Sequence, residues 1–252
     1  MRFRFKAFGL HLACSACALL LVLGALYLGW YRWPGWYLTG VVKVAAMMAG
    51  VDVVLGPLLT LVVANPVKSL RELRRDIGTI VAVQLLALVY GTGTLWGGRP
   101  LYYAFSVNEL QITQASDIDP AEAVLAKREN PSFAPHWYSL PRWVWAPLPD
   151  DPDLRQKIIT GAVFGDGDDV IQMPRYFRSW QQGELALRKH LETVDALRQF
   201  SKAEKQRLKG RMEQIGVPAN QANSLTMSGR AGFLVAVFDP RSLQLKTFLR
   251  PD

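Results

Sequence analysis

The sequence predicts a membrane protein with three transmembrane α-helices, followed by an α+β domain with a small antiparallel sheet of two hairpins and several helices. Three apolar runs, Ala7–Tyr31, Tyr37–Ala64 and Ile77–Trp96, are each long enough to cross a hydrocarbon core, which takes roughly 20 helical residues. A bilayer offers no hydrogen-bond partners to a backbone, so each run is expected to be helical. We therefore predict a membrane anchor over residues 1–99 and a separate domain over residues 100–252.

The net charge of +8 is concentrated in the predicted anchor. Residues 1–99 contain ten Lys or Arg and three acidic residues, whereas bases and acids nearly balance over the remainder. The basic excess is thus charge that flanks membrane helices, and no nucleic acid partner is expected. The basic residues before the first run, and Arg71, Arg74 and Arg75 between the second and third, predict a cytoplasmic amino terminus. Three crossings then carry the domain to the periplasm of a bacterial cell.

The first run is expected to be a retained anchor rather than a cleaved signal peptide. Aromatic residues near Tyr31 occupy the place where a cleavage site would need small residues. Cys14 and Cys17 form a CxxC pattern, but a helix embedded in lipid favours inert thiols over redox chemistry. His11 is expected to lie at the membrane interface without a side-chain partner.

Asp52 makes the second run unusual, since a carboxylate near the centre of a span costs about 2.5–3.5 kcal/mol. Gly56 and Pro57 follow closely, and the missing amide of the proline predicts a kink beside the acid. Asp52 is either protonated and hydrogen-bonded to Gln84 of the third run, or placed nearer the surface, or a docking site for a polar group on another transmembrane helix. A proton pathway is disfavoured because no second acid follows along the spans.

After the anchor, the sequence predicts two β-hairpins, one at each end of the domain. Leu101–Val107 and Leu110–Thr113 flank a turn, and Phe233–Asp239 and Leu243–Arg250 flank another. A four-stranded antiparallel sheet is the simplest arrangement of these segments.

Within the anchor, the capping-box spacing of Ser69 and Glu72 predicts a short helical turn between the second and third spans.

Helices are predicted between the hairpins, at four places. The first begins at Asp119-Pro120, the second covers Asp153–Phe164, and the third covers Leu185–Leu197. The fourth runs from the capping box at Ser201 to Ile215. The stretch Asn130–Asp153, rich in Pro and Trp, is expected to be irregular.

No catalytic constellation is found in the sequence. It contains no HExxH, GxSxG, GxGxxG or P-loop pattern, and we predict neither an enzyme nor a cofactor. The loop Gly165–Asp169 has acids that could ligate a cation, but a solvated turn is the better interpretation because a later bidentate acid is missing.

Aromatic and basic residues are mixed in loops of the domain, as they are at many protein interfaces. Core packing is expected to account for about half of them. The candidate partner-binding residues of the domain are Tyr103, Trp143, Pro174, Tyr176, Phe177 and Trp180, and those of the anchor are Asp52, Gly56, Pro57 and Gln84.

Several segments together resemble the TfpX/TfpZ family of type IV pilin accessory proteins. The resemblance is carried by Val51–Leu61, Asn65-Pro66, Lys68–Asp76, the third span with Gln84, Arg99-Pro100 and Pro174–Phe177. It implies an inner-membrane protein that assists its cognate pilin as a specific chaperone or assembly modulator. Membrane lipid and other inner-membrane pilus assembly proteins are further expected partners.

This resemblance suggests a use for Asp52. Pilins wait in the membrane on an apolar N-terminal helix with one acidic residue and a positive amino terminus, and Asp52 is expected to pair with that amine. Three alternatives stay open: a scaffold that uses the cytoplasmic Arg71–Arg75 loop, an uncharacterised membrane enzyme, and a transporter.

Overall fold

The computed structural model describes residues 1–164 and 169–251, which form two compact units. We call Met1–Arg32 with Gly40–Gly98 the membrane unit, and Trp33–Thr39 with Arg99–Asp252 the αβ unit. Four of the five residues in the predicted cation loop, residues 165–168, lie outside the described residues.

The membrane unit contains three helices that are long and apolar enough to cross a membrane, as predicted. They are α1 (Arg2–Gly29), a second span over Val41–Val63, and α5 (Leu70–Gly97). The second span begins four residues later than the predicted Tyr37. Gly40 has a φ of +76°, which ends the separate turn α2 (Gly35–Leu38) before α3 (Val41–Ala49) begins.

Instead of a simple kink, the second span contains a π-helical turn at Gly50–Leu55 between α3 and α4 (Gly56–Val63). The backbone N–H of Gly56 donates to the carbonyl of Val51, five residues back. The next donor in that register would be Pro57, which has no N–H. The proline therefore leaves the carbonyl of Asp52 without a helical partner, rather than the carbonyl of Val53 that ordinary α-helical spacing predicts.

The capping box at the start of α5 is confirmed. The Ser69 hydroxyl accepts from the backbone N–H of Glu72, and the Glu72 carboxylate accepts from that of Ser69. The predicted short helical turn through Asp76 is longer than expected, because the helix continues without a break into the third span. Arg71, Arg74 and Arg75 are exposed on its first turns.

The αβ unit is built on a curled, mixed sheet of seven strands, so the predicted four-stranded antiparallel sheet is wrong in size and in strand direction. The strands are β1 (Pro100–Ser106), β2 (Glu109–Gln114), β3 (Arg142–Trp145), β4 (Arg178–Ser179), β5 (Ser224–Gly229), β6 (Gly232–Phe238) and β7 (Leu245–Leu249), in the order β4-β3-β1-β2-β5-β6-β7. Both predicted hairpins, β1–β2 and β6–β7, are present. Parallel pairing of β1 with β3 and of β2 with β5 joins them to the remaining strands.

Between the two predicted hairpins, the described part of the αβ unit contains four α-helices, and this region differs from the prediction in two places. The helices are α6 (Pro120–Glu129), α7 (Pro152–Phe164), α8 (Glu184–His190) and α9 (Lys202–Gln214). The predicted helix Leu185–Leu197 ends at His190, because Glu192 exchanges backbone hydrogen bonds with Ser224 at the start of β5. The stretch expected to be irregular contains β3, whereas the capping box of Ser201 and Glu204 is confirmed.

The connection between the first two spans, Trp33–Thr39, belongs to the αβ unit. Leu38 is fully buried in its core, and the Leu38 carbonyl accepts from the backbone N–H of Ala231 at 3.0 Å. The Tyr103 hydroxyl hydrogen-bonds the backbone of Gly35, and burial raises the pKa of Tyr103 to about 12. One folded unit thus combines residues before the second span with residues after the third, as the two crossings between these segments allow.

Gly229 allows the close approach of this connection, which gives a first testable prediction. A Cβ at Gly229 would lie 2.6 Å from the Leu38 carbonyl oxygen and 2.7 Å from its Cβ. Because backbone atoms cannot move aside cheaply, we expect Gly229→Ala to destabilise the αβ unit by about 1–3 kcal/mol. This loss of stability is measured by thermal unfolding of the full-length protein in detergent, with proteolysis of the αβ unit as the probe of unfolding.

Gly210→Ala in α9 is the matched control, since a Cβ there meets nothing within 4 Å. In a helix interior, alanine is more favourable than glycine by about 0.8–1 kcal/mol, so this variant should be at least as stable as the parent. Equal stability of the Gly229 and Gly210 variants would contradict the packing that we assign to Leu38.

Candidate functional site

Four polar side chains meet inside the membrane unit, at the level of the π-helical turn. They are His11 of α1, Asp52 of the π turn, Thr60 of α4 and Gln84 of α5. Asp52 is the middle residue of the second span, Val41–Val63. Three of these side chains are buried, with exposed fractions of 5% for Asp52, 1% for Thr60 and 7% for Gln84.

Hydrogen bonds connect these residues across all three spans. The His11 ring lies between Thr60 and Gln84, with Nδ1 2.5 Å from Thr60 Oγ1 and Nε2 2.7 Å from Gln84 Oε1. Gln84 Nε2 donates to the backbone carbonyl of Asp52 at 3.0 Å. The prediction that His11 has no side-chain partner is therefore wrong. Gln84 meets Asp52 at the backbone carbonyl, and its side-chain amide also lies close enough to act on the carboxyl group.

Gly56 makes room for this network. A Cβ at Gly56 would lie 2.0 Å from Gln84 Nε2 and 2.4 Å from Gln84 Oε1. Pro57, which is also buried, removes the N–H that would otherwise satisfy the carbonyl of Asp52. Each residue of the predicted Asp52–Gly56–Pro57 motif thus has a distinct part in bringing Gln84 to the π turn.

The carboxyl group of Asp52 lies in the interior of the membrane unit, since the residue is buried. Within residues 1–164 and 169–251, no group hydrogen-bonds its buried Oδ2 atom. Asp52 and Gln84 lie in a groove of about 190 Å³. The groove is lined by His11, Cys14, Ser15 and Ala18 of α1 and by Val81, Leu85 and Leu88 of α5. A buried polar atom without a partner is costly, which makes Asp52 the candidate residue of this unit.

The aromatic candidates of the αβ unit form a connected cluster. The ring centroid of Trp143 lies 4.9 Å from that of Tyr103, 5.2 Å from that of Trp180 and 6.0 Å from that of Phe248. Tyr103 is buried, whereas Trp143 and Trp180 are half-buried and line an open cavity of about 400 Å³. Because β3 and β7 lie far apart in the sheet order, the contact of Trp143 with Phe248 shows how strongly the sheet curls.

The segment Pro174–Phe177 is mostly structural. Phe177 is fully buried against Tyr102, and Pro174 is buried as well. The Asn130 side-chain amide holds the segment by donating to three of its carbonyls, those of Pro174, Arg175 and Phe177, at 2.9–3.2 Å.

Tyr176 differs from its neighbours because it is half-buried and lines a second open cavity, beside Trp145 and Arg178. Burial raises the pKa of Tyr176 above its usual value, although the nearby Arg175 guanidinium opposes this shift. Tyr176, Trp143 and Trp180 are thus the aromatic candidates that a partner can reach.

Two residues of the polar cluster, His11 and Thr60, were missed by the sequence interpretation. His11 is separated from Thr60 by 49 residues and from Gln84 by 73, so no local pattern connects them. The one available signal was that each is a polar side chain inside an apolar run. In the part of the chain that the structure describes, no group of three or more His, Cys, Asp or Glu is placed to hold a metal ion.

Comparisons with known proteins identify relatives from Dichelobacter nodosus. The chain is 26% identical to the fimbrial assembly protein of serogroup E1, over 98% of its own length and 91% of that protein. It is 28% identical to the serogroup I protein, over 68% of this chain and 65% of the relative. It is 33% identical to the protein of serogroups C1 and C2, over 46% of this chain and 88% of the relative.

No family model matches the chain, and no solved structure matches it. The similarity to the serogroup E1 protein extends over nearly the whole chain, and the higher identity to the C1 and C2 protein covers most of that relative. The chain therefore belongs to the family of fimbrial assembly proteins.

Proposed function

We propose that this protein is a type IV pilin accessory protein of the TfpX/TfpZ kind, which binds its cognate pilin as a specific chaperone or assembly modulator. The names of the relatives support this proposal, because they combine fimbrial assembly with particular serogroups. Serogroups are antigenic classes of strains. A factor matched to one variant of a surface fibre would be expected to vary with them.

The buried Asp52 carboxyl group is the observation that carries the proposal. A buried acid whose Oδ2 atom lacks a partner is expensive at the centre of a span, so a protein that keeps it gains when a partner supplies a donor. The positive amino terminus of a pilin, on its apolar helix, is such a donor. The pilin helix would enter the groove between α1 and α5 with its amino end at Asp52.

The walls of the groove suit a helix as occupant. Ser15 and Ala18 are small and lie on one side, and Leu85 and Leu88 provide apolar contact on the other. Small residues allow helix backbones to approach closely in a membrane, where packing and polar contacts replace the hydrophobic drive.

The αβ unit supplies a second contact in this proposal, to the globular head of the pilin. Trp143 and Trp180 border an open cavity, and Tyr176 borders another. Accessible Trp and Tyr side chains contribute much of the binding energy at protein interfaces. Basic residues at the start of α1 and α5 support an inner-membrane location with a cytoplasmic amino terminus and a periplasmic αβ unit.

Photocrosslinking from neighbouring positions of α5 tests the proposed function. Leu85 lines the groove, whereas Leu86 is 71% exposed and does not line it. With a photoreactive amino acid at each position in turn, we expect an adduct with pilin from position 85 and little or none from position 86. Both positions are at the same depth, so general proximity to pilin in the membrane would label them equally and would contradict binding in the groove.

A further inference from the structure

We infer that the loop His136–Leu140 of the αβ unit rests on the phospholipid bilayer that holds the three spans, with Trp137 and Tyr138 among the lipid headgroups. The loop presents large apolar side chains to the outside, with exposed fractions of 73% for Trp137 and 59% each for Tyr138 and Leu140. A cluster of exposed apolar side chains marks a site for a protein or a membrane. This inference depends neither on pilin nor on Asp52.

The aromatic side chains are held outward by a closed turn. The backbone N–H of Ser139 donates to the carbonyl of His136 at 3.1 Å, so Trp137 and Tyr138 lie at the tip of a four-residue β-turn. The backbone N–H of His136 donates to the Ser139 hydroxyl at 2.9 Å, and the His136 ring stacks on that of Tyr138 with 5.3 Å between the centroids. The turn therefore fixes the exposure of both aromatic rings.

Chain connectivity places this turn beside a membrane surface. Arg99 Nη2 donates to the carbonyl of His136 at 3.5 Å. Arg99 comes three residues after Trp96, the last residue of the apolar run Ile77–Trp96. The 20 residues of this run lie within α5, and at about 1.5 Å per residue they span roughly 30 Å, the thickness of a hydrocarbon core. Trp96 thus marks the boundary of the core, so Arg99 and the turn bonded to it are expected at the depth of the headgroups.

The second exposed tryptophan of the described residues gives independent support. Trp33 is exposed and lies in the connection between the first two spans. The second and third spans carry the chain across the membrane and back, so this connection and Arg99 lie at the same membrane surface. The other six tryptophans are at least partly buried. Both exposed tryptophans are thus in segments that chain connectivity brings to one surface of the bilayer.

The residue types of the loop suit the headgroup layer. Trp and Tyr are enriched at membrane–water interfaces, because the ring contacts acyl chains while the N–H or O–H group stays among polar groups. The segment Pro131–Pro149 contains no acidic residue, and its only Lys or Arg is Arg142. Anionic headgroups would therefore not be repelled, as they would be by an acidic loop. A lipid surface is the partner that this chemistry fits.

Fluorescence quenching tests the inference on the full-length protein without pilin. Cys14 and Cys17 are replaced by alanine, and Trp137→Cys supplies the attachment site for an NBD fluorophore. The protein is reconstituted into vesicles of phosphatidylethanolamine and phosphatidylglycerol, in which some acyl chains bear a nitroxide close to the headgroup. We expect emission at shorter wavelength than that of the free fluorophore in water, and strong quenching by the nitroxide lipid.

Two other exposed positions serve as controls. Arg32 follows the first span closely, so a fluorophore there should be quenched strongly. Val107 is exposed and lies seven residues after Pro100, which is about 23 Å along β1. We expect quenching from position 137 to resemble that from position 32 and to exceed that from position 107. Equal quenching from positions 137 and 107 would show no preference of the loop for lipid and would overturn the inference.

Replacement of the aromatic pair separates lipid contact from mere closeness to the bilayer. With the fluorophore at position 140, Trp137→Ser and Tyr138→Ser together should lower the equilibrium constant for lipid contact about tenfold, which corresponds to about 1.4 kcal/mol. Leu185→Ser and Val124→Ser are the matched control, because they remove exposed apolar side chains from α8 and α6. This control should leave the quenching unchanged.

Unchanged quenching after loss of the aromatic pair would contradict the inference, as would emission from position 137 that matches the fluorophore in water. A shift to shorter wavelength without quenching would contradict it too, because protein and not lipid would then cover the loop. The variants alter exposed side chains, so the αβ unit should stay folded, and thermal unfolding checks this. No pilin is present, so failure here is distinct from failure of the crosslinking experiment on the proposed function.

Discussion

Asp52→Asn is expected to abolish capture of pilin while the protein itself remains folded in the membrane. Removing one partner of a buried charge pair costs about 3–5 kcal/mol, which corresponds to a loss of affinity of roughly 100-fold or more. The unliganded protein should not suffer, because Oδ2 has no hydrogen-bond partner to lose and the carboxylate itself is costly at the centre of a span. Co-purification of pilin from detergent-solubilised membranes and the count of surface pili measure the effect.

Asp76→Asn is the matched control for this variant. Asp76 also lies on a helix of the membrane unit, but it pairs with Lys68 at 2.7 Å and is not part of the groove. Ion pairs at exposed positions contribute little to stability, so pilin capture should change little. If Asp52→Asn retained pilin and pili as the Asp76 control does, the pairing of Asp52 with the pilin amine would be refuted.

Features set by neighbouring residues could be predicted from the sequence. The capping boxes at Ser69 and Ser201 depend on a side chain and a backbone group three residues apart, and both are present. The two hairpins likewise join strands that are close in sequence, so alternation and a turn were enough to find them. Apolar length alone was enough to find the three spans.

Features that join distant segments could not be predicted in this way. Strand β3 has four residues between Pro-rich segments, and it is stabilised by parallel pairing with β1 that no local pattern shows. The helical pattern of Leu185–Leu197 was outweighed at Glu192 by backbone pairing with Ser224. In both places, long-range contacts overrode the local preference of the chain.

The candidate site shows the same division. Asp52, Gly56, Pro57 and Gln84 could be singled out, because a carboxylate, a helix breaker and an amide are conspicuous in apolar runs. The π turn was not predictable, since it changes which carbonyl the proline leaves open, from Val53 to Asp52. Without that shift, nothing indicated that Gln84 would donate to the backbone of Asp52.

Gly56→Ala is expected to dismantle the polar cluster, the second large effect. A Cβ at 2.0 Å from Gln84 Nε2 forces the Gln84 side chain away. The side chain is flexible, so the steric cost itself is small. The main loss is the hydrogen bond to the Asp52 carbonyl, and leaving that buried group unsatisfied costs about 1–3 kcal/mol. Equilibrium unfolding of the full-length protein in mixed detergent measures the change in stability.

Gly50→Ala provides the control, because it lies in the same π turn and a Cβ there meets nothing within 4 Å. It should be no less stable than the parent, and equal losses in the two variants would contradict the role of Gly56. The double variant Gly56→Ala, Gln84→Ala then distinguishes the two possible causes. Removing the Gln84 side chain relieves any overlap but cannot satisfy the Asp52 carbonyl, so stability should stay low if the hydrogen bond dominates. Recovery in the double variant would instead attribute the loss to packing.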